Sequence, residues 1–140
     1  MAGLSQLHHQ FVWPVRVYYE DTDSGGVVYH SNYLNFMERA RTEWLRSLGF
    51  EQPMLKDDLG VLFVVHQLAI TYQSPAKFND ALNVACRIVK MGRSTLEFEQ
   101  IIKRDTQILT KATVGLVCVD ATQFKPVSIP SQIKAKMEKL

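Results

Sequence analysis

Cysteine is scarce in this sequence: two residues among 140, Cys86 and Cys118. Each stands in an alternating apolar run, where a free thiol packs as a small hydrophobe. With no secretory signal ahead of them, the expectation is two reduced, buried thiols rather than a disulfide or a nucleophile. Net charge is also small, because 16 Lys and Arg face 14 Asp and Glu for a formal +2. The basic residues are scattered, and the densest group, Lys134, Lys136 and Lys139, reads as a solvated helix face. That excludes nucleic acid and an anionic lipid surface as default partners, since both need clustered charge. No apolar run approaches the ~18 residues of a membrane-spanning helix, and residues 1–10 have no apolar signal core. The expectation is a protein of a reducing, cytoplasmic compartment. No repeat, low-complexity tract or linker divides the chain.

What is present is a core-forming composition, 46% hydrophobic and 21% charged, enough for one domain. That domain is expected over residues 11–140, behind a polar leader at 1–10 whose His8 and His9 read as part of a frayed terminus. Residues 13–19 alternate, with Val15, Val17 and Tyr19 on one face and Arg16 and Tyr18 on the other. A turn-rich loop, residues 20–26, follows. A helix is expected from Ser31 as N-cap to Gly49 as its stop. Its stripe is Tyr33, Phe36, Met37, Ala40, Trp44 and Leu48, which reads as core. Four strands are then expected at 61–73, 81–90, 94–104 and 108–120, with turns at Met91-Gly92-Arg93 and Asp105-Thr106. A short helix is expected over 132–139. Strands joined by short turns imply an antiparallel meander, and one long amphipathic helix must cover a face of it. The class is α+β, without a glycine-rich phosphate loop in register.

Chemistry concentrates in residues 19–33, Y-E-D-T-D-S-G-G-V-V-Y-H-S-N-Y. Glycines permit close backbone approach and φ angles that other residues avoid. The helix start after His30 offers unpaired N–H groups and the positive end of the helix dipole. Such donors polarise a carbonyl and hold a developing oxyanion. Asp23 stands seven residues before His30, so a loop that folds back brings both to one bound carbonyl. Ordinary structural roles fit the same residues: an Asx turn at Asp21 or Asp23, and a histidine bonded to backbone at the helix start. The carboxylate spacing is not that of an EF-hand loop. The residues by themselves leave both readings open.

The stretch from Val15 to Phe50 closely resembles the YbgC branch of the hotdog-fold thioesterases, relatives of 4-hydroxybenzoyl-CoA thioesterase. The core is D-x-x-G-V-V-Y-H-x-x-Y followed by E-R-A-R-T-E, and Tyr72-Gln73-Ser74-Pro75-Ala76 and Val117-Cys118-Val119-Asp120 fit downstream. The resemblance implies a five-stranded antiparallel sheet wrapped around the long helix, in subunits that form dimers and often tetramers. It implies hydrolysis of acyl-CoA, and in some members acyl carrier protein, thioesters, with no cofactor and no metal. Asp23 matches the catalytic carboxylate, as nucleophile or as general base. His30 matches a catalytic histidine, and its backbone N–H the group that polarises the carbonyl. Gly26, Val27, Tyr29 and Tyr33 fall in the substrate-binding segment. Arg93 and Ser94 stand near the family's phosphate-binding basic pair, with one arginine where the family has two basic residues. Phe63 and His66 are expected near a pocket between subunits, and the apolar residues 61–67 at an interface. The branch is associated with the Tol-Pal envelope system. Two other readings of the same resemblance are a non-catalytic acyl-thioester binder or scaffold and a hotdog dehydratase.

Overall fold

The computed structural model describes residues 10–138. His8, His9 and Lys139 lie outside the described residues. The long helix forms as the periodicity predicts: α1, Asn32–Ser47, buries Tyr33, Phe36, Met37, Ala40, Trp44 and Leu45. It ends in a Schellman motif. Gly49 takes φ +94°, its N–H donates to Arg46 O, and the Phe50 N–H donates to Leu45 O. A second helix follows that the periodicity does not predict: α2, Gln52–Leu59, with Pro53 in its first turn and Gly60 in the left-handed conformation at its end. Proline early and glycine late are the marks of a short helix; eight residues carry too little periodicity to show it otherwise.

Five strands, β1 (Phe11–Arg16), β2 (Val61–Tyr72), β3 (Ala81–Met91), β4 (Thr95–Arg104) and β5 (Gln107–Asp120), form one sheet in the order β1-β3-β4-β5-β2. All its pairings are antiparallel. A closing helix, α3 (Ser131–Glu138), buries Ile133 and Met137. Leu82, Val84, Cys86 and Ile88 of β3, Leu96, Phe98 and Ile102 of β4, and Ala112, Val114, Leu116 and Cys118 of β5 are buried. These are the alternating positions expected from the sequence. Trp44 of α1 meets Phe98 edge-on at 5.3 Å between ring centroids.

β1 is shorter than its alternation suggested. After Arg16 the chain leaves the sheet, and Tyr19–Asp21 make a 3-10 turn. Tyr19, expected to share the inner face with Val15 and Val17, is 75% exposed and stacks on Phe78 at 3.8 Å. The turn is favoured because the Asp21 carboxylate captures the Tyr18 N–H at 2.8 Å, offering the backbone a local partner in place of a ladder bond.

Cys86 and Cys118 are buried and free. They lie on β3 and β5, with β4 between. The register sets Cys86 across β4 from Ala112, six residues short of Cys118, which puts the two thiols about 20 Å apart, far beyond the ~7 Å reach of a disulfide. Burial pushes the Cys86 thiol up to about 12 and the Cys118 thiol up to about 11.

The outer strands are β1 and β2. β2 is the anomaly, because a long apolar strand here forms an open edge: Val65 is 50% and Leu68 39% exposed. His66 marks a break in register between Val65 and Gln67. It lies against Gly115, where a Cβ would come within 3.2 Å of His66 Nε2.

Candidate active site

The loop after β1 sorts its carboxylates. Asp21 is buried and fully engaged: Oδ2 accepts from the Tyr18 N–H at 2.8 Å, and Oδ1 accepts from Asn32 Nδ2 at 2.6 Å. Its carbonyl accepts from the Tyr29 N–H at 2.9 Å. Asp21 therefore clamps the turn to the first residue of α1. Asp23 has the opposite surroundings. It is exposed, and its Oδ1 accepts from the Gly25 N–H at 2.8 Å in an Asx turn. Among the described residues its Oδ2 has no donor. The loop closes on itself: Thr22 bridges Val28, the Asp23 N–H donates to Val27 O at 2.9 Å, and the Gly26 N–H donates to Asp23 O at 3.0 Å. The two glycines do different work. At Gly26 the backbone needs φ +80°, whereas at Gly25 a Cβ would crowd Asp23 Oδ1 at 3.2 Å.

The loop returns directly to the start of α1. His30 is exposed, its ring tilted over that of Tyr29 at 4.5 Å. Its carbonyl accepts from Tyr72 Oη at 2.8 Å, which ties the end of β2 to the helix start. Among the described residues the His30 and Ser31 N–H groups have no acceptor, and Ser31 makes no capping bond through its side chain. These donors, at the positive end of α1, remain available to a ligand. Tyr33 is buried, and its Oη accepts from the Ala76 N–H at 3.0 Å. Burial raises its phenol above the usual tyrosine range, against the lowering effect of the Ala76 hydrogen bond. A neutral phenol keeps its proton to donate. Val28, His30, Tyr33, Tyr72, Ser74 and Pro75 line a cleft of about 270 Å³.

The sequence-predicted residues thus divide. Asp23, Gly26, Val27, Tyr29, His30 and Tyr33 share one end of the sheet. Arg93 and Ser94 do not join them. They form the β3–β4 turn, about 30 Å away along β3 at ~3.3 Å per residue. There Arg93 Nε donates to Ser128 Oγ at 2.7 Å, and Ser94 O accepts from the Cys118 N–H at 2.7 Å. Phe63 lines a second cavity, of about 330 Å³, between α1 and β2. Two participants were missed. Asn32 holds Asp21, and no spacing rule announces that bond. Tyr72 holds His30, and its signal was the Tyr72-Gln73-Ser74-Pro75-Ala76 stretch.

A thioesterase superfamily model matches residues 25–111, from the tip of the Asp23 loop into β5. The acyl-CoA thioesterase YbgC of Haemophilus influenzae is 49% identical over 134 residues, 96% of this chain and 98% of that protein. The acyl-CoA thioester hydrolase YbgC of Escherichia coli O157:H7 is 45% identical over 129 residues, 91% of this chain and 96% of that protein. The crystal structure of a probable thioesterase from Bartonella henselae, 33% identical, shares the fold with a TM-score of 0.84, covering 87% of this chain and all of that one. Sequence and backbone agree over nearly the whole length: the chain belongs to the thioesterase superfamily and groups there with the YbgC acyl-CoA thioesterases.

Proposed function

We propose that this chain hydrolyses acyl-CoA thioesters, with Asp23 as the reacting carboxylate and the His30 N–H at the start of α1 polarising the thioester carbonyl. The supporting observation is the division of labour on the loop. Asp21 is buried and spent on structure, whereas Asp23 keeps a free carboxylate oxygen on the loop that leads into the α1 start. A carboxylate is a weak nucleophile, but a thioester carbonyl is electrophilic and a thiolate leaves readily. Polarisation by fixed N–H donors makes the combination sufficient. In one route Asp23 attacks the carbonyl carbon, the C–S bond breaks, the thiolate takes a proton, and water opens the mixed anhydride. In the other, Asp23 removes a proton from water, which attacks in its place. Acyl carrier protein thioesters present the same reacting group and are a second substrate class.

The site is completed by a second copy of the chain. The open, apolar β2 edge is a template for pairing. Antiparallel pairing of β2 with its own copy about its middle sets the Tyr72 end of one strand beside the Val61 end of the other. That register carries the Arg93–Ser94 turn of one copy toward the Asp23 loop of the other, where Arg93 meets coenzyme A phosphate.

The test is thiol release from a panel of acyl-CoAs by the wild type and by Asp23→Asn. Release by the first and not the second upholds the assignment; binding without release identifies a non-catalytic acyl-thioester binder. In a single turnover in heavy-oxygen water, label in the Asp23 carboxylate marks the nucleophilic route with water opening the anhydride at the Asp23 carbon, since general-base catalysis never exchanges an Asp23 oxygen.

A further inference from the structure

Arg41 is an anomaly of the core. It projects from α1 into the wall of the second cavity, whose other walls include Trp44, Phe63, Phe98 and Leu116. Trp44 and Phe98 are each 2% exposed and form a rigid floor. Burial lowers the guanidinium from its ordinary value, an effect opposed by Glu38. Yet no carboxylate lies within ion-pair distance of Arg41 among the described residues. What holds it is a neutral amide. Arg41 Nη1 donates to Gln100 Oε1 at 2.8 Å, and Gln100 Nε2 donates to Met37 O at 3.0 Å. Gln100 is completely buried, at a β4 position where alternation calls for an apolar residue. A buried polar side chain and a partly desolvated cation both cost stability relative to apolar replacements. Together they aim a guanidinium, with donors to spare, into a groove of apolar walls with a polar rim of Glu38, Thr42 and Gln52. Glu38 lines the same groove and accepts from Thr42 Oγ1 at 2.6 Å.

We propose that this groove receives the far end of the acyl group, and that Arg41, steered by Gln100, selects acyl groups carrying a hydroxyl there. This rests on the two-copy thioesterase site described above. Antiparallel β2 pairing about the strand's middle sets Phe63 and Val65 of one copy across from Ile70 and Leu68 of the other, so the groove of one copy opens toward the cleft at the other's Tyr72 end. A volume of about 330 Å³ lies at the small end of the range for ligand pockets. A hydroxyl accepts from Arg41 and donates to Glu38. A carboxylate accepts equally well but meets the Glu38 charge, and a plain alkyl end leaves the guanidinium desolvated and unsatisfied. Gln100 acts through Arg41 and is a positioning residue.

The test compares octanoyl-CoA, 8-hydroxyoctanoyl-CoA and the 8-carbon acyl-CoA with a terminal carboxylate, on wild type, Arg41→Met and Arg41→Lys. The expected wild-type preference in kcat/KM is about tenfold for the hydroxyl over the plain chain, with the carboxylate between them. Arg41→Met brings the ratio near one, and Arg41→Lys restores part of it. A wild-type ratio near one, or a ratio unchanged by Arg41→Met, overturns the proposal. So does dissociation of Arg41→Met into monomers in light scattering, which assigns Arg41 to contacts between copies. If no acyl-CoA releases thiol, the thioesterase reading fails by itself. The groove is then decided by Trp44 fluorescence during titration with 8-hydroxyoctanoate. A saturable change lost in Arg41→Met upholds it, and no change overturns it.

Discussion

Asp21 and Asp23 are two residues apart and differ in nearly every physical respect. Asp23→Asn keeps the Asx turn, because the amide oxygen still accepts from the Gly25 N–H, but removes the charge. The expected outcome is a fall in kcat of about 10²-fold or more with an unchanged circular dichroism spectrum. His30→Ala leaves the backbone N–H and the helix dipole in place, so its kcat/KM should fall less than that of Asp23→Asn; the reverse order would make the imidazole the chief catalyst. Asp21→Ala is expected to act on stability, because it leaves the Tyr18 N–H and the Asn32 amide without acceptors. Urea unfolding should show a loss of about 2 kcal/mol. The cysteines predict a pH dependence. With folded values of about 12 for Cys86 and about 11 for Cys118 against an unfolded 9.0, the native state binds the thiol protons more tightly. Their stability contribution is therefore complete below pH 9 and is lost as pH rises toward 11 and then 12. Denaturant midpoints measured from pH 7 to 11 should decline above 9, and less so in Cys86→Ala.

At the scale of elements, the strand alternation and the α1 stripe were legible, because each buries one face against a single core and the two periods differ. Three features were not. α2 is too short for periodicity and shows only in Pro53 and Gly60. The end of β1 was overrun because Val17 and Tyr19 continue the alternation, while the Asp21 carboxylate, three residues on from Tyr18, diverts the backbone. Gln100 interrupts the apolar run of β4, and alternation places the residue without saying what it bonds. Gly26→Ala tests the loop as an element. A side chain at φ +80° strains the turn by about 1 kcal/mol, and relaxation of that strain displaces Asp23. The expected result is a small shift in urea midpoint with a disproportionate loss of kcat.

For the whole molecule, the decisive feature is β2, apolar over Val61–Val65 and again at Leu68–Ile70, yet at the open edge of the sheet. A chain of this sequence should be at least a dimer at micromolar concentration. A charged substitution at an exposed edge position, Leu68→Lys, should weaken assembly and thioesterase activity together if, as proposed, each site draws on both copies. Light scattering alongside thiol release checks this; a fully active monomer would show that neither pairing nor shared sites are needed. Among the described residues, no helix is long and apolar enough to cross a membrane.

The sequence by itself determined the strand and helix periods, the α+β class, the placement of glycines and carboxylates ahead of a helix start, and, through its D-x-x-G-V-V-Y-H-x-x-Y core, the family. These are local in the chain, and local spacing encodes them. Only the tertiary structure decided which carboxylate is free, since the Asn32 amide and the Tyr18 N–H claim Asp21 and leave Asp23. Only the sheet order put Cys86 and Cys118 two strands apart and turned the long apolar β2 outward. It also placed Arg93 and Ser94 at the far end of the sheet from the loop they were expected to serve. Those outcomes depend on which strands neighbour one another and which hydrogen-bond donors meet across the chain. Such contacts join residues tens of positions apart, and no spacing along the sequence records them.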